Sequence, residues 1–316
     1  MKVLANDGLA ESGIVALEKD GFEVDLTTVA QDQLVDYINT NNVIVLLVRS
    51  ATKVRKDIID NCPSLKIIGR GGVGMDNIDV EYAREKGLKV INTPAASSHS
   101  VGELVFSHLF GLVRFLHESN RHMPLDGDTK FNSLKKSFGA GIELKGKTLG
   151  VLGFGRIGQA TAKIALGLGM KVIAFDPFMD SATLTVDFFD GQELSFTVNT
   201  ISKEEVLKQA DFVTLHVPAQ KEYVIGAPEF ALMKDGAFIV NAARGGVIDE
   251  VALVAALESG KIAGAGLDVY EKEPTPEMQL LMNSKLSLTP HIGAATAEAQ
   301  DRIGGELAQQ IAEILL

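Results

Sequence analysis

Basic residues, cysteines and long apolar runs are all scarce in this chain, and each shortage removes a class of function. Thirty Lys and Arg stand against 41 Asp and Glu, a formal charge of −11, so neither a nucleic acid nor an anionic membrane finds the basic surface it needs. A small anionic ligand is not excluded, because charges are screened over about 8 Å at physiological ionic strength and local arginines decide what binds. The single cysteine, Cys62, excludes an internal disulfide and any cysteine-based metal cluster. It fits a reducing compartment, and the expected location is the cytoplasm. The longest unbroken aliphatic stretch, Val43 to Val48, falls far short of a membrane span, and Met1 to Glu11 has no basic region followed by a long apolar core.

What the chain does have is length, apolar content and rhythm. With 316 residues, 46% of them hydrophobic, it can bury large cores and is expected to divide into about two domains. Short β-branched runs alternate with amphipathic segments from the start: Lys2 to Ala5 then Glu11 to Lys19, Glu23 to Thr27 then Gln31 to Asn39, Val43 to Val48 then Lys56 to Asn61, and on through Lys89 to Asn92. Such alternation makes parallel βαβ units. A first α/β domain is therefore expected over residues 1–98, completed by the C-terminal helix over 297–316, with the second domain over 99–296.

In the second part, Ser100 to Glu118 predicts one long helix, and Asn120 to Lys147 is weak in periodicity and reads as an arm reaching a second subunit. Strands are expected at Thr148 to Leu152, Lys171 to Phe175, Phe212 to His216, Ala237 to Asn241, Gly264 to Asp268 and Leu286 to Thr289. Leu184 to Val198 breaks the rhythm by alternating apolar and polar residues about Asp190-Gly191. It predicts an inserted β-hairpin with an odd loop, pairing Phe189 with Glu193, Phe188 with Leu194, Val186 with Phe196 and Leu184 with Val198, its apolar face covered by its own domain or a neighbouring subunit.

Residues 153–158 read Gly-Phe-Gly-Arg-Ile-Gly, between an apolar strand and a helix, with Asp176 closing the next strand. Each glycine has a task. Gly153 permits the tight turn, Gly155 lets a pyrophosphate approach the backbone, and Gly158 lets helix and strand pack closely, while the helix N-terminus faces the phosphates. Asp176 can accept from both adenosine ribose hydroxyls and would repel a 2′-phosphate, so NAD is favoured over NADP.

Three further residues stand near strand ends in the last third: Arg244, Glu273 and His291. Open α/β sheets bind ligands at strand carboxyl ends, and this trio supplies what hydride transfer on a 2-hydroxy acid needs. A histidine takes or returns the hydroxyl proton, a carboxylate on its far nitrogen fixes the tautomer, and an arginine offers a charged fork to carboxylate and developing oxyanion. His216 reads as structural. His99, His108 and His117 are spaced nine apart, which on one helix puts successive rings on opposite faces and rules out a shared metal.

Taken with Asn241 to Asp249 (NAARGGVID), Gly264 to Pro274 (GAGLDVYEKEP) and Pro290 to Ala294 (PHIGA), these motifs make the chain resemble the D-isomer-specific 2-hydroxyacid dehydrogenase family over nearly its whole length. Val48 to Val54, Ile68 to Asp79 and Val90 to Pro94 are similar to the phosphoglycerate dehydrogenase branch. The resemblance implies two doubly wound parallel-sheet domains, a flavodoxin-like substrate domain and a Rossmann NAD domain, with a cleft between them, paired as a homodimer. It implies His291 as acid/base, Glu273 as its partner and Arg244 as substrate binder. For the coenzyme it implies Arg156, Ile157, Asp176, Val217, Ala242, Asp268, Gly293 and Ala294, besides the three glycines. For a small anionic 2-hydroxy or 2-keto acid it implies the amides of Val73 and Gly74, with Arg49, Ser50 and Arg70 for a terminal phosphate. The expected reaction is oxidation of 3-phospho-D-glycerate, with reduction of hydroxypyruvate or glyoxylate and an NAD(H)-sensing co-repressor-like role as alternatives.

Two departures from the family pattern stand out. Ser97 replaces a common asparagine, which would rearrange or remove one substrate hydrogen bond, and the hairpin lengthens the Asp176 to His216 segment. With Leu316 as the last residue, the expectation is that serine inhibition through a C-terminal small-molecule-binding domain does not operate.

Overall fold

The computed structural model describes residues 1–316, and these group into two compact units, Met1–Ser97 with Ala294–Leu316, and Ser98–Gly293. In chain order the first unit begins β1 (Lys2–Ala5), α1 (Glu11–Lys19), β2 (Glu23–Asp25), α2 (Leu34–Thr40), β3 (Val43–Val48), α3 (Lys56–Asn61), β4 (Ile67–Arg70), α4 (Val80–Glu85) and β5 (Lys89–Asn92). The second contains α5 (Ser98–Val113), α6 (Leu116–Asp126), α7 (Phe131–Ser137), β6 (Thr148–Leu152), α8 (Arg156–Gly167), β7 (Lys171–Phe175), β8 (Ser181–Asp187), β9 (Glu193–Asn199), α9 (Lys203–Gln209) and β10 (Phe212–Leu215). It continues through α10 (Ala227–Leu232), β11 (Ala237–Asn241), α11 (Glu250–Glu258), β12 (Ile262–Leu267), α12 (Met278–Leu281) and β13 (Leu286–Leu288). The chain then returns to the first unit as α13 (Ala297–Leu315). No helix is long and apolar enough to cross a membrane.

The first sheet is wholly parallel in the order β2-β1-β3-β4-β5, the flavodoxin-like doubly wound arrangement. Its central strands are apolar without interruption because helices cover both faces. Leu46, Val48 and Ile68 enter one core with Leu34, Ile38 and Ile58, and Val45, Leu47 and Ile67 enter another with Leu17 and Ile303. The C-terminal α13 supplies Ile303, Leu307 and Ile311 to that second core, spaced at a helical period. It meets α1 so closely that a Cβ on Gly13 would lie 2.7 Å from Gly304 Cα. A side chain at either glycine would push the helices apart.

The second unit has a six-stranded parallel sheet in the order β13-β12-β11-β10-β6-β7 and a separate antiparallel pair, β8-β9. The strand order reverses between β6 and β10. A doubly wound sheet normally has one more strand beyond β7, but here it is reduced to a single parallel bridge, Ala174 to Thr200.

The structure departs from the sequence expectations in three places. The hairpin exists, but its register is two residues from the expected one: Leu184 faces Phe196, Val186 faces Leu194 and Ala182 faces Val198. Gly191 is the cause. With φ of 84° it takes the left-handed last position of the three-residue loop Phe189-Asp190-Gly191, closed by the Phe188 amide donating to Gln192 O at 2.9 Å, and only glycine enters that conformation without strain. The apolar face survives because a shift of two preserves side-chain parity. Its root, Leu184 and Val198, is buried in its own domain's core, while Phe188 and Leu194 near the loop are exposed.

The expected single helix over Ser100 to Glu118 also breaks, because Phe115 is left-handed with φ of 55° and α6 starts afresh after it. The stretch read as an irregular arm contains α6 and α7. Helix α6 buries no residue and carries side-chain ion pairs instead, Arg121 with Glu118 and Lys130 with Asp126, so apolar periodicity could not reveal it.

Candidate active site

The carboxyl ends of β6 and β10 flank the point where strand order reverses, where doubly wound sheets bind ligands. The three glycines after β6 behave differently when a Cβ is placed on each. On Gly153, which has φ of 90°, it would lie 2.4 Å from His216 O, and on Gly158 2.2 Å from Gly153 O. On Gly155 it would meet nothing within 4 Å. The outer two glycines are therefore demanded by the turn and by packing, and the middle one borders open space at the N-terminus of α8, where a pyrophosphate fits.

Phe154 between them is fully buried and pins the loop. Arg156 and Ile157 open α8, with Arg156 exposed and Ile157 packed on the core. Asp176 ends the β7 run, and its Oδ2 accepts from the Phe154 amide at 2.7 Å while Oδ1 accepts from the Phe178 amide at 2.9 Å. Each carboxylate oxygen keeps a further lone pair for a ribose hydroxyl. These residues fit a dinucleotide. Val217 follows β10 and packs on the sheet core, and Ala242 follows β11 as a buried residue. His216 is partly buried with Nε2 3.1 Å from Thr214 Oγ1, and burial of the ring lowers its pKa to about 3. A ring kept neutral in this way is unsuited to proton exchange near neutral pH.

Arg244, Glu273 and His291 follow the carboxyl ends of three adjacent strands, β11, β12 and β13. His291 Nδ1 lies 2.8 Å from Glu273 Oε2, and Glu273 Oε1 accepts from the Tyr270 amide at 3.0 Å. The carboxylate is thus held by its own turn and in turn orients the ring, leaving Nε2 for a substrate. His291 itself is left-handed, φ 56°, an uncommon conformation for a residue with a Cβ. Asp268, 1% exposed, holds the backbone just beyond it: Oδ1 accepts from the Ile292 amide and Oδ2 from the Gly293 amide, both at 2.8 Å. The Gly293 carbonyl accepts from Ser100 Oγ at 2.9 Å, and Ala294 O accepts from Gln300 Nε2 at 2.7 Å.

Arg244 is carried by a loop that Asn241 shapes, accepting from the Ala243 amide at 3.1 Å and donating to Arg244 O at 2.9 Å. A Cβ on Gly245 would sit 1.8 Å from Tyr270 O, so the arginine loop lies directly against the turn that fixes Glu273. Asn241, Tyr270 and Thr289 were not among the residues singled out from sequence. Thr289 Oγ1 donates to Asp268 Oδ1 at 2.6 Å, and Tyr270 Oη donates to Thr289 O at 2.9 Å. For Asn241 and Tyr270 the surrounding motifs NAARGGVID and GAGLDVYEKEP offer a signal, and for Thr289 there is none.

In the first unit, order reverses between β1 and β3, and Arg49 and Ser50 follow β3 there. Asp7, after β1, accepts from the Arg49 amide at 2.6 Å and from Thr52 Oγ1 at 2.6 Å, and Asn77 Nδ2 donates to Arg49 O at 2.7 Å. The loop is clamped from both sides. The Arg49 guanidinium is half-buried, and burial lowers its pKa against the opposing effect of Asp7.

Arg70 ends the neighbouring strand, paired with Val48 in register, and its guanidinium occupies the place a Cβ on Gly72 would take, 2.1 Å from Nη1. Val73 and Gly74 lie in the loop after β4, tied down where Asn92 Nδ2 donates to Val73 O at 2.7 Å. Ser97 is buried.

The comparison with known proteins agrees with this geometry. The family model for the D-isomer specific 2-hydroxyacid dehydrogenase NAD binding domain matches residues 106–293. A hydroxypyruvate reductase of Thermotoga maritima is 44% identical over 316 residues, covering 98% of this chain and 97% of that protein. A D-3-phosphoglycerate dehydrogenase of Methanocaldococcus jannaschii is 44% identical over 318 residues, all of this chain but 57% of that longer protein. The chain thus spans little more than half of such a dehydrogenase. Among solved structures, the holo form of Rhodotorula graminis D-mandelate dehydrogenase superposes with a TM-score of 0.83 at 27% identity, covering 98% of this chain and 93% of that one. The chain belongs to the D-isomer-specific 2-hydroxyacid dehydrogenases, NAD-dependent oxidoreductases with a Rossmann coenzyme domain.

Proposed function

We propose that this enzyme oxidises 3-phospho-D-glycerate to 3-phosphooxypyruvate. The observation that carries the choice of substrate is the pair Arg49 and Arg70, at the carboxyl ends of the neighbouring strands β3 and β4, the first of which flanks the unit's order reversal. Two guanidinium groups suit a dianionic phosphate better than a hydroxymethyl group.

In this reading residues 1–98 with 297–316 bind substrate and residues 99–296 bind NAD, which when bound accepts a hydride from the substrate's C2. His291 takes the C2 hydroxyl proton at Nε2 during oxidation and gives it back during reduction. Glu273 holds Nδ1 and stabilises the imidazolium so formed. Arg244 binds the carboxylate and the oxygen on which charge develops. The amides of Val73 and Gly74 hold the substrate carboxylate, Ser97 stands where the family commonly has asparagine, and Ser50 assists Arg49 at the phosphate. For the coenzyme, Gly153, Gly155, Gly158, Arg156 and Ile157 meet the pyrophosphate and Asp176 the adenosine ribose. Val217, Ala242, Asp268, Gly293 and Ala294 line the nicotinamide end. The enzyme acts as a cytoplasmic homodimer.

A second reading, reduction of hydroxypyruvate, is favoured by the Thermotoga maritima relative, which matches this chain end to end. Steady-state kinetics with 3-phospho-D-glycerate, D-glycerate, hydroxypyruvate and glyoxylate decide between them. The first reading requires the highest kcat/KM for the phosphorylated acid, and requires Arg49→Ala or Arg70→Ala to raise its KM about 10- to 100-fold while leaving the KM for D-glycerate nearly unchanged. A phosphorylated acid that is no better than glycerate overturns it.

A further inference from the structure

Two histidines with no part in the proposed chemistry meet inside the second unit. His108 on α5 has Nδ1 2.7 Å from Ser287 Oγ and Nε2 3.1 Å from Thr289 Oγ1. His117 on α6 brings its Nε2 to 2.7 Å from the same Ser287 Oγ. The expectation that rings nine residues apart point to opposite faces fails here because the helix breaks at Phe115. Room for both rings is built into the backbone: a Cβ on Gly266 would lie 2.7 Å from His108 Cβ, and one on Gly111 2.6 Å from His117 Nε2.

Proton counting fixes the direction of every bond. The Asp268 carboxylate only accepts, so Thr289 spends its single hydroxyl proton on Oδ1 and must accept from His108 Nε2–H. Neutral His108 then has a bare Nδ1, which accepts from Ser287 Oγ–H, and Ser287 in turn accepts from His117 Nε2–H. Burial holds the His108 pKa down at about 4, so the ring is in the neutral form this wiring needs. All donors thus point one way, toward the carboxylate that holds the Ile292 and Gly293 amides beside the left-handed His291.

We infer that Thr289, His108 and Ser287 are positioning residues: they hold Asp268 as an oriented acceptor, and through it the turn that aims His291. The inference rests on the acid/base reading of His291 given above. Its wiring is separately observable.

The test combines kinetics with histidine side-chain and backbone amide NMR on the full chain. Thr289→Val keeps the shape and loses the hydroxyl. It should lower kcat about 10- to 100-fold with KM for the acid within about twofold, and Thr289→Ser should restore most of the rate. In the unsubstituted protein at neutral pH, His108 should show the Nε2–H tautomer. In Thr289→Val the Ile292 and Gly293 amide resonances should move. Should Thr289→Val not fold, Ser287→Ala cuts the chain one bond further out and should show the same changes in smaller measure. An Nδ1–H tautomer at His108, or a folded Thr289→Val with unmoved amides, overturns the inference. A protein inactive on every 2-hydroxy and 2-keto acid tried would refute the functional reading and leave the NMR result to decide the wiring.

Discussion

Replacing Glu273 by Gln keeps the size of the side chain and an oxygen for His291 Nδ1, and removes only the charge. The bond it alters is 2.8 Å long between side chains that are 40% and 37% exposed. A hydrogen bond to a charged group contributes about 1.5–3 kcal/mol against about 0.5–1.5 for a neutral one, so the difference is about 1–1.5 kcal/mol. Water reaches both groups, which places the effect toward the lower end. At about 1.4 kcal/mol per factor of ten, kcat for oxidation should fall roughly 5- to 10-fold, with KM nearly constant because the carboxylate matters once the imidazolium forms.

The overall equilibrium constant belongs to the reactants and not to the enzyme. At fixed pH kcat/KM must therefore fall by the same factor for oxidation and for reduction, and NADH absorbance followed in both directions checks this. A folded Glu273→Gln enzyme with kcat within twofold of the parent would refute the role given to the carboxylate. Loss of NAD binding would refute the claim that the change is local.

Other expectations follow from the same coordinates. His291→Ala should abolish NADH formation yet leave NAD binding nearly intact, as calorimetry would show. Gly155→Ala should leave the melting temperature of the free protein nearly unchanged, since its Cβ meets nothing within 4 Å, but remove the stabilisation that NAD gives. Gly158→Ala, driven against Gly153 O, should lower that temperature outright. Phe154→Ala, which empties a fully buried site, should cost about 3–5 kcal/mol in urea unfolding.

The buried histidines make stability fall in acid. Burial lowers His108 from 6.5 to about 4, so the unfolded chain binds its proton first. The contribution is complete above pH ~6.5 and is lost as pH falls toward ~4, about 3 kcal/mol in all. His216, lowered to about 3, adds in the same direction. Urea midpoints should drop between neutral pH and pH ~5, less steeply in His108→Gln, and a flat profile would refute the burial argument.

Much of the fold could be read in the sequence because strands buried on both faces are unbroken apolar runs; β3 and β6 coincide with the stretches expected for them. Gly153 and Gly158 were legible for a related reason, since close packing leaves only one residue type. His291 and Glu273 lie 18 apart in sequence and 2.8 Å apart in space, and the order of the motifs was enough to pair them. What escaped reading depends on single dihedrals. Phe115 ends α5 in a conformation that its side chain does not announce, which turned His117 toward Ser287 and hid the histidine pair. The hairpin register hung on Gly191 entering the loop as its last residue rather than its middle one. Ser287 and Thr289 carry no signature at all, being ordinary strand residues until Asp268 and His108 are placed beside them.

The reduction of one sheet strand to the Ala174–Thr200 bridge has a consequence for solubility. Strand β7 ends the coenzyme sheet and would offer unpaired amides and carbonyls to any extended chain nearby. The Ile201 amide caps Ala174 O at 2.8 Å, and β9 packs against β7 while one face of the hairpin carries the hydroxyls of Thr183, Thr185, Ser195 and Thr197. Cutting out residues 181–199 would uncover more of that edge, so a chain lacking them is expected to scatter more light on standing than the full chain.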